Sequence, residues 1–151
     1  MTKINKLTKE KTSILIKCYR FYRYLWVNYM EIISKIVYNF VYLVFGCTIP
    51  PTTKLGRVVN IAHPIGIVIH QNAVIGDNTL IYQNVTIGRR NGSLEECPIV
   101  GKNCILGAGC CILGVVKVGD NVKVGANAVV VKDDPSNVTV TGIPAEIVKR
   151  G

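Results

Sequence analysis

Acids are scarce in this chain: nine Asp and Glu stand against eighteen Lys and Arg, a formal charge of +9 over 151 residues. The excess is uneven. Up to Gly46 eight bases meet two acids, and the remaining residues carry only the other +3. A nucleic-acid binder would place its charge on a folded body with base-reading or stacking side chains. A basic leader fits a membrane surface or an anionic partner instead. Long apolar runs are also missing. The longest uncharged apolar part, Ile36 to Cys47, has twelve residues, against about 20 for a spanning helix. The apolar stretches come late and no small-residue cleavage site follows them, so no signal peptide is expected. There are two histidines, and the six cysteines contain no C-x-x-C pair. That removes the usual zinc arrangements, and no metal is expected.

What is present is a period of six. From Ile49 to Val130 one column stays aliphatic: Ile49, Leu55, Ile61, then Ile69, Ile75, Ile81, Ile87, then Val100, Leu106, Ile112, Val118, Val124, Val130. The next residue is often glycine, and four places after the aliphatic one comes a small or β-branched side chain. Neither a helix nor a simple strand has this period. Hexapeptide repeats build β-helices, in which each coil stacks on the last over one continuous core. Three hexads make a triangular coil, with glycine expected at the tight bends. Cys104 and Cys110 fall in the interior column as small apolar fillers. Reduced thiols point to a reducing, cytoplasmic compartment.

The fold class expected is therefore all-β, a parallel β-helix over 47–135. A basic, aromatic helical segment precedes it over 1–46, and a C-terminal strand and tail follow over 136–151. In the leader, Ile14, Leu15, Cys18, Phe21, Tyr22, Leu25 and Trp26 recur at three and four, and a second run spans Glu31 to Phe45. Two short helices packed on the β-helix or on a neighbouring subunit would explain them. A basic, aromatic helix face lying on an anionic membrane is compatible with that packing.

The repeat breaks twice. Ile61 to Ile69 is eight residues, and Ile87 to Val100 is thirteen. Departures from a solenoid's period are where loops leave the body and carry function. The first break holds His63, and histidine is the side chain that exchanges protons near neutral pH, which suits a general base for an alcohol. The two added residues put Gln83 one coil above it. The second break, 89–98, is polar and is expected to project into solvent. His70 reads as a surface histidine in a bend.

Gly66-Ile67-Val68-Ile69, Gln83 to Gly88, Leu106-Gly107-Ala108-Gly109, Val124-Gly125-Ala126 and Gly142-Ile143-Pro144-Ala145 together resemble the catalytic half of serine acetyltransferases. The resemblance implies a left-handed coil, a homotrimer with sites between subunits, and acetyl-CoA as donor. His63 would deprotonate the acceptor hydroxyl. The pantetheine arm would pass Gly88, Gly107, Ala108, Gly125 and Ala126, and Arg89, Arg90, Lys132 and Lys149 could meet the phosphates.

Departures from that family bear on the acceptor. The Asp expected before the motif histidine is Ala62, the orienting Asp of the preceding coil is Thr48, and the loop's Arg-His is Glu96-Cys97. With Gln83 and Asn84 these are the acceptor-site candidates. Free serine has lost the partners of both its charges, and lost pairing groups discriminate strongly. The Cys-Pro loop, short leader and H-P-x-G-I-V-I phrase look closer to capsule and exopolysaccharide (colanic-acid type) O-acetyltransferases, whose acceptors are sugar hydroxyls, some lipid-linked. Sugar acetylation is the reading that follows. Serine acetylation for cysteine synthesis is the alternative, and a non-catalytic scaffold trimer the reading from another class. Thr48, Glu95 or Glu96 could hold His63, and Cys97 could carry acetyl covalently.

Overall fold

The computed structural model describes residues 13–90 and 96–150. Glu95, the rest of 91–95 and the first twelve residues lie outside them. Short parallel strands stack into three faces, a left-handed β-helix. The first face holds β1 (Lys54–Leu55), β4 (Val74–Ile75), β7 (Ile99–Val100) and β10 (Lys117–Val118). The second holds β2 (Asn60–Ile61), β5 (Leu80–Ile81), β8 (Ile105–Leu106), β11 (Lys123–Val124), β13 (Val138–Thr141) and β14 (Glu146–Arg150). The third holds β3 (Val68–Ile69), β6 (Thr86–Gly88), β9 (Cys111–Leu113) and β12 (Val129–Val130).

The six-residue column explains the strands. From Ile61 on, its aliphatic residue sits in a strand of each hexad and turns inward, so Ile61, Ile69, Ile75, Ile81 and their successors are buried. The smaller column, including Ala73, Val85, Cys104, Cys110 and Ala128, is buried with them. Eighteen residues separate stacked partners such as Leu106 and Val124. The coils continue beyond the Asp133-Asp134-Pro135 turn, because β13 pairs in parallel with β11. The last strand, β14, then turns back antiparallel on β13.

The repeat glycines do a different job from the one expected of them. Left-handed backbone falls mainly on asparagines: Asn78, Asn84, Asn103, Asn121, Asn127 and Asn137 have φ between 56° and 64°. Asparagine tolerates that region because its short side chain bonds locally. Two such pairs also bond to each other, Asn78 Nδ2 to Asn103 Oδ1 at 3.2 Å and Asn121 Nδ2 to Asn137 Oδ1 at 2.9 Å. Gly76 needs to be glycine for space: a Cβ there would lie 2.6 Å from the backbone of Gly101 in the next coil. Stacked strands only about 4.8 Å apart leave no room for it.

Two helices, α1 (Ile14–Val27) and α2 (Glu31–Phe45), close the start of the β-helix. Ser13 caps α1, accepting from the Ile16 N–H. Leu15, Ile16, Tyr19, Tyr22 and Leu25 form its buried side, while Ile14 and Phe21 are exposed. Tyr19 and Tyr22 donate their hydroxyls to the carbonyls of Thr53 and Ile49, and Arg23 donates to Pro51. These bonds dock α1 on the first coil. Ser34 ties α2 to α1 by donating to the Tyr22 carbonyl at 2.6 Å. Among the described residues no helix is long and apolar enough to cross a membrane.

Candidate functional site

The first break is a bulge at the edge between the second and third faces. Ile61 pairs with Ile81, an offset of twenty, yet Val68 pairs with Thr86, an offset of eighteen. The two additional residues are therefore spent between Ile61 and Val68. They push His63, Pro64 and Ile65 outward, and His63 and Ile65 are exposed. The bend is held by backbone: the Ile65 N–H donates to the His63 carbonyl at 2.9 Å, and the Asn84 N–H donates to Ile65 at 2.9 Å. Gly66, at φ 65°, has to be glycine, since a Cβ would fall 2.2 Å from Asn84 Oδ1.

This edge gathers much of the predicted site. Past the bulge the ladder is back at an offset of eighteen, with the Asn84 N–H on the Ile65 carbonyl, so Gln83 lies level with Ile65 rather than directly above His63 as expected. The Gly109 N–H bonds the Gln83 carbonyl at 2.9 Å. Ala108 and Ala126 follow in the same column, with the Asn127 N–H donating to Ala108 at 2.9 Å. Tyr82, not foreseen from the sequence, is the ring nearest His63, 6.4 Å between centroids and tilted by 51°. The register that pointed to Gln83 would also have pointed to its neighbour. Gln83 Oε1 is buried without a hydrogen bond among the described residues.

Orientation of His63 by Thr48 is not observed. Thr48 bridges Val68 in the third face. No carboxylate of the described residues bonds the His63 ring, and Glu96 is exposed. Ala62, also exposed, presents no charge.

The other candidates lie at the far edge of the third face. Gly88 ends β6 with nothing within 4 Å of where a Cβ would be. Arg89 is exposed beside it, while Cys97 and Pro98 are buried where the second loop rejoins the body. The projection expected of 89–98 falls mostly on 91–95, outside the described residues, while Arg89, Arg90 and Glu96 at its ends are exposed. Here His70 departs from a bare surface histidine, because Cys97 Sγ stands 2.8 Å from its Nδ1. Nδ1 also accepts from the Asn72 N–H at 3.3 Å, which makes the thiol the donor. Burial pushes the Cys97 thiol up, and the Arg89 guanidinium partly opposes it.

Two of the proposed cofactor-lining glycines are needed by the coils themselves. A Cβ on Gly107 would lie 2.7 Å from Ala126 N, and one on Gly125 would lie 2.6 Å from Thr141 Cγ2. Lys132 is paired with Glu146 at 2.7 Å on the exposed surface. Among the described residues no cluster of His, Cys, Asp and Glu could hold a metal.

Residues 97–132 match the bacterial transferase hexapeptide, six-repeat family. The matched residues lie within the β-helix. The chain carrying it is 36% identical over 136 residues to a serine acetyltransferase of Synechococcus elongatus, covering 88% of this chain and 55% of that one. It is 44% identical over 108 residues to one from Staphylococcus epidermidis, covering 70% and 50%. A serine acetyltransferase of Brucella abortus, solved in complex with coenzyme A, superposes with a TM-score of 0.86 at 32% identity, covering 90% of this chain and 55% of that one. The Neisseria gonorrhoeae enzyme gives 0.84 at 34% identity, covering 90% and 54%. This hexapeptide chain spans about half the length of the relatives it matches.

Proposed function

We propose that this chain is an acetyl-CoA-dependent O-acetyltransferase in which His63 is the general base. The observation that carries this reading is the outward bulge at His63, beside Tyr82 on the edge that also carries Ala108 and Ala126. His63 takes the acceptor hydroxyl's proton as that oxygen attacks the thioester carbon. Backbone N–H groups steady the oxyanion, and CoA leaves as the thiol. Gly88, Ala108 and Ala126 line the path of the pantetheine arm, with Arg89 and Lys132 toward the phosphates. A single chain keeps His63 and Gly88 on opposite edges of one face. A homotrimer in which one chain's edge meets its neighbour's would unite them, an arrangement that the hexapeptide relatives support.

The relatives are named serine acetyltransferases, so serine is the better-supported acceptor, and the capsule and exopolysaccharide branch of the resemblance finds no support among them. One feature of this chain still favours a neutral acceptor such as a saccharide. Ala62 beside His63 in the chain and Tyr82 facing its ring bring it no charge, whereas a zwitterion needs partners for two.

Thiol release from acetyl-CoA with free serine, and separately with sugars, tests both. Release with serine establishes the first acceptor, and release with a sugar alone establishes the second. His63→Ala should remove turnover while the oligomer persists. Turnover near the wild-type rate in that variant would sink the assignment of the base, and failure to bind acetyl-CoA at all would return the chain to a scaffold role.

A further inference from the structure

We propose that the exposed apolar side of α2 docks on an anionic lipid bilayer, with the bases of the leader meeting its headgroups. Ile32, Ile36, Phe40 and Leu43 recur at four, four and three, so they share one side of the helix. With Ile33 and Val44 they are between 47 and 79% exposed. The opposite side, at Ser34 and Val41, is already buried. The helix thus has two apolar sides, and only one is covered by this chain. At its start, Tyr29, Met30, Glu31, Ile32 and Ile33 line an open hollow of about 660 Å³ that extends the same surface. The only charges on α2, Glu31 and Lys35, stand within 3.8 Å of each other, which leaves the stripe itself uncharged. A contiguous patch of this kind marks an interaction surface.

Charge decides what covers it. A second copy would set the same leader, eight bases against two acids, facing itself, and like charges oppose that contact. An anionic bilayer reverses the sign, gaining about 1 kcal/mol for each base near its surface. Lys17 and Arg20 are exposed on α1, and residues 1–12 add four lysines and one glutamate. An apolar stripe together with a basic segment supplies the two signals that stable peripheral binding requires. Trp26, with Lys35 Nζ 5.5 Å from its ring, adds the aromatic body and charged tip typical of the headgroup level. None of this depends on which hydroxyl is acetylated.

The test is co-sedimentation of the whole chain with phosphatidylcholine vesicles, with and without phosphatidylglycerol. The protein is expected to pellet with the anionic vesicles, and less so at high salt. Combining Ile36→Glu, Phe40→Glu and Leu43→Glu should cut partitioning by roughly tenfold or more. These positions are exposed, so the thermal midpoint should hold. Lys17→Glu with Arg20→Glu should weaken the preference for the anionic lipid. Equal pelleting on both vesicles, or triple-variant binding equal to wild type, overturns the proposal. So does a wild type that ignores vesicles but assembles with concentration until the glutamates are introduced, which would give the stripe to a second copy.

Discussion

The rings of His63 and Tyr82 lie 6.4 Å apart at the outer edge of two successive coils, one on the bulge and one on the regular turn above it. A hydroxyl presented to His63 therefore arrives beside a phenol rather than a carboxylate. Tyr82→Ala should raise the acceptor's KM by roughly three- to tenfold, the worth of about 1 kcal/mol of aromatic contact. The KM for acetyl-CoA should stay unchanged. Steady-state kinetics with each substrate varied in turn separates the two, and an equal rise in both would deny Tyr82 an acceptor role.

Glycines of the repeat should divide sharply on substitution. Gly76→Ala forces a Cβ to within 2.6 Å of the Gly101 backbone, which has no side chain to move aside. A loss of about 1–3 kcal/mol is expected from such overpacking. Gly88→Ala meets nothing within 4 Å and should stay within about 0.5 kcal/mol of wild type. If the pantetheine arm passes Gly88, that same variant raises the KM for acetyl-CoA. Thermal unfolding read alongside kinetics checks both halves.

Alkaline pH should loosen the core through its thiols. Burial pushes Cys104 up to about 11 and Cys110 up to about 12 from an ordinary 9.0. Both are neutral in the fold, so their contribution is fully present below pH 9 and is lost as pH rises toward those values. Cys110→Ala should flatten the fall in stability between pH 9 and 12, at the cost of a small cavity. In native protein at neutral pH, iodoacetamide should reach Cys18 or Cys111 before Cys104 and Cys110, as peptide mapping would reveal.

Lys132 offers a test of phosphate binding. Its partner Glu146, 2.7 Å away, is exposed, so the pair adds little to stability. Glu146→Gln should leave the thermal midpoint in place and lower the KM for acetyl-CoA by releasing the lysine. The gain should shrink in high salt. An unchanged KM would remove Lys132 from the phosphate site.

The sequence by itself determined the coil. A six-residue phase held from Ile49 to Val130 with two breaks points to a stacked repeat, because each hexad turns one aliphatic and one smaller side chain into the shared core. The first break in that phase located the bulge at His63, whereas counting on from it set Gln83 above His63 when the ladder sets it level with Ile65. Tertiary structure decided what counting within the chain does not reach. Most crowded glycines fall one place after the aliphatic residue and most left-handed asparagines three places after it, but that the first serve space and the second backbone sign emerges only when the coils are stacked. The contact of His70 with Cys97 joins residues 27 apart through an inserted loop whose path no period describes. The hydroxyl bonds of Tyr19 and Tyr22 to the carbonyls of Thr53 and Ile49 exist because the helices fold back over the first coil. Side-chain partners of that kind follow from how coils and helices meet in space, where the repeat carries no further instruction.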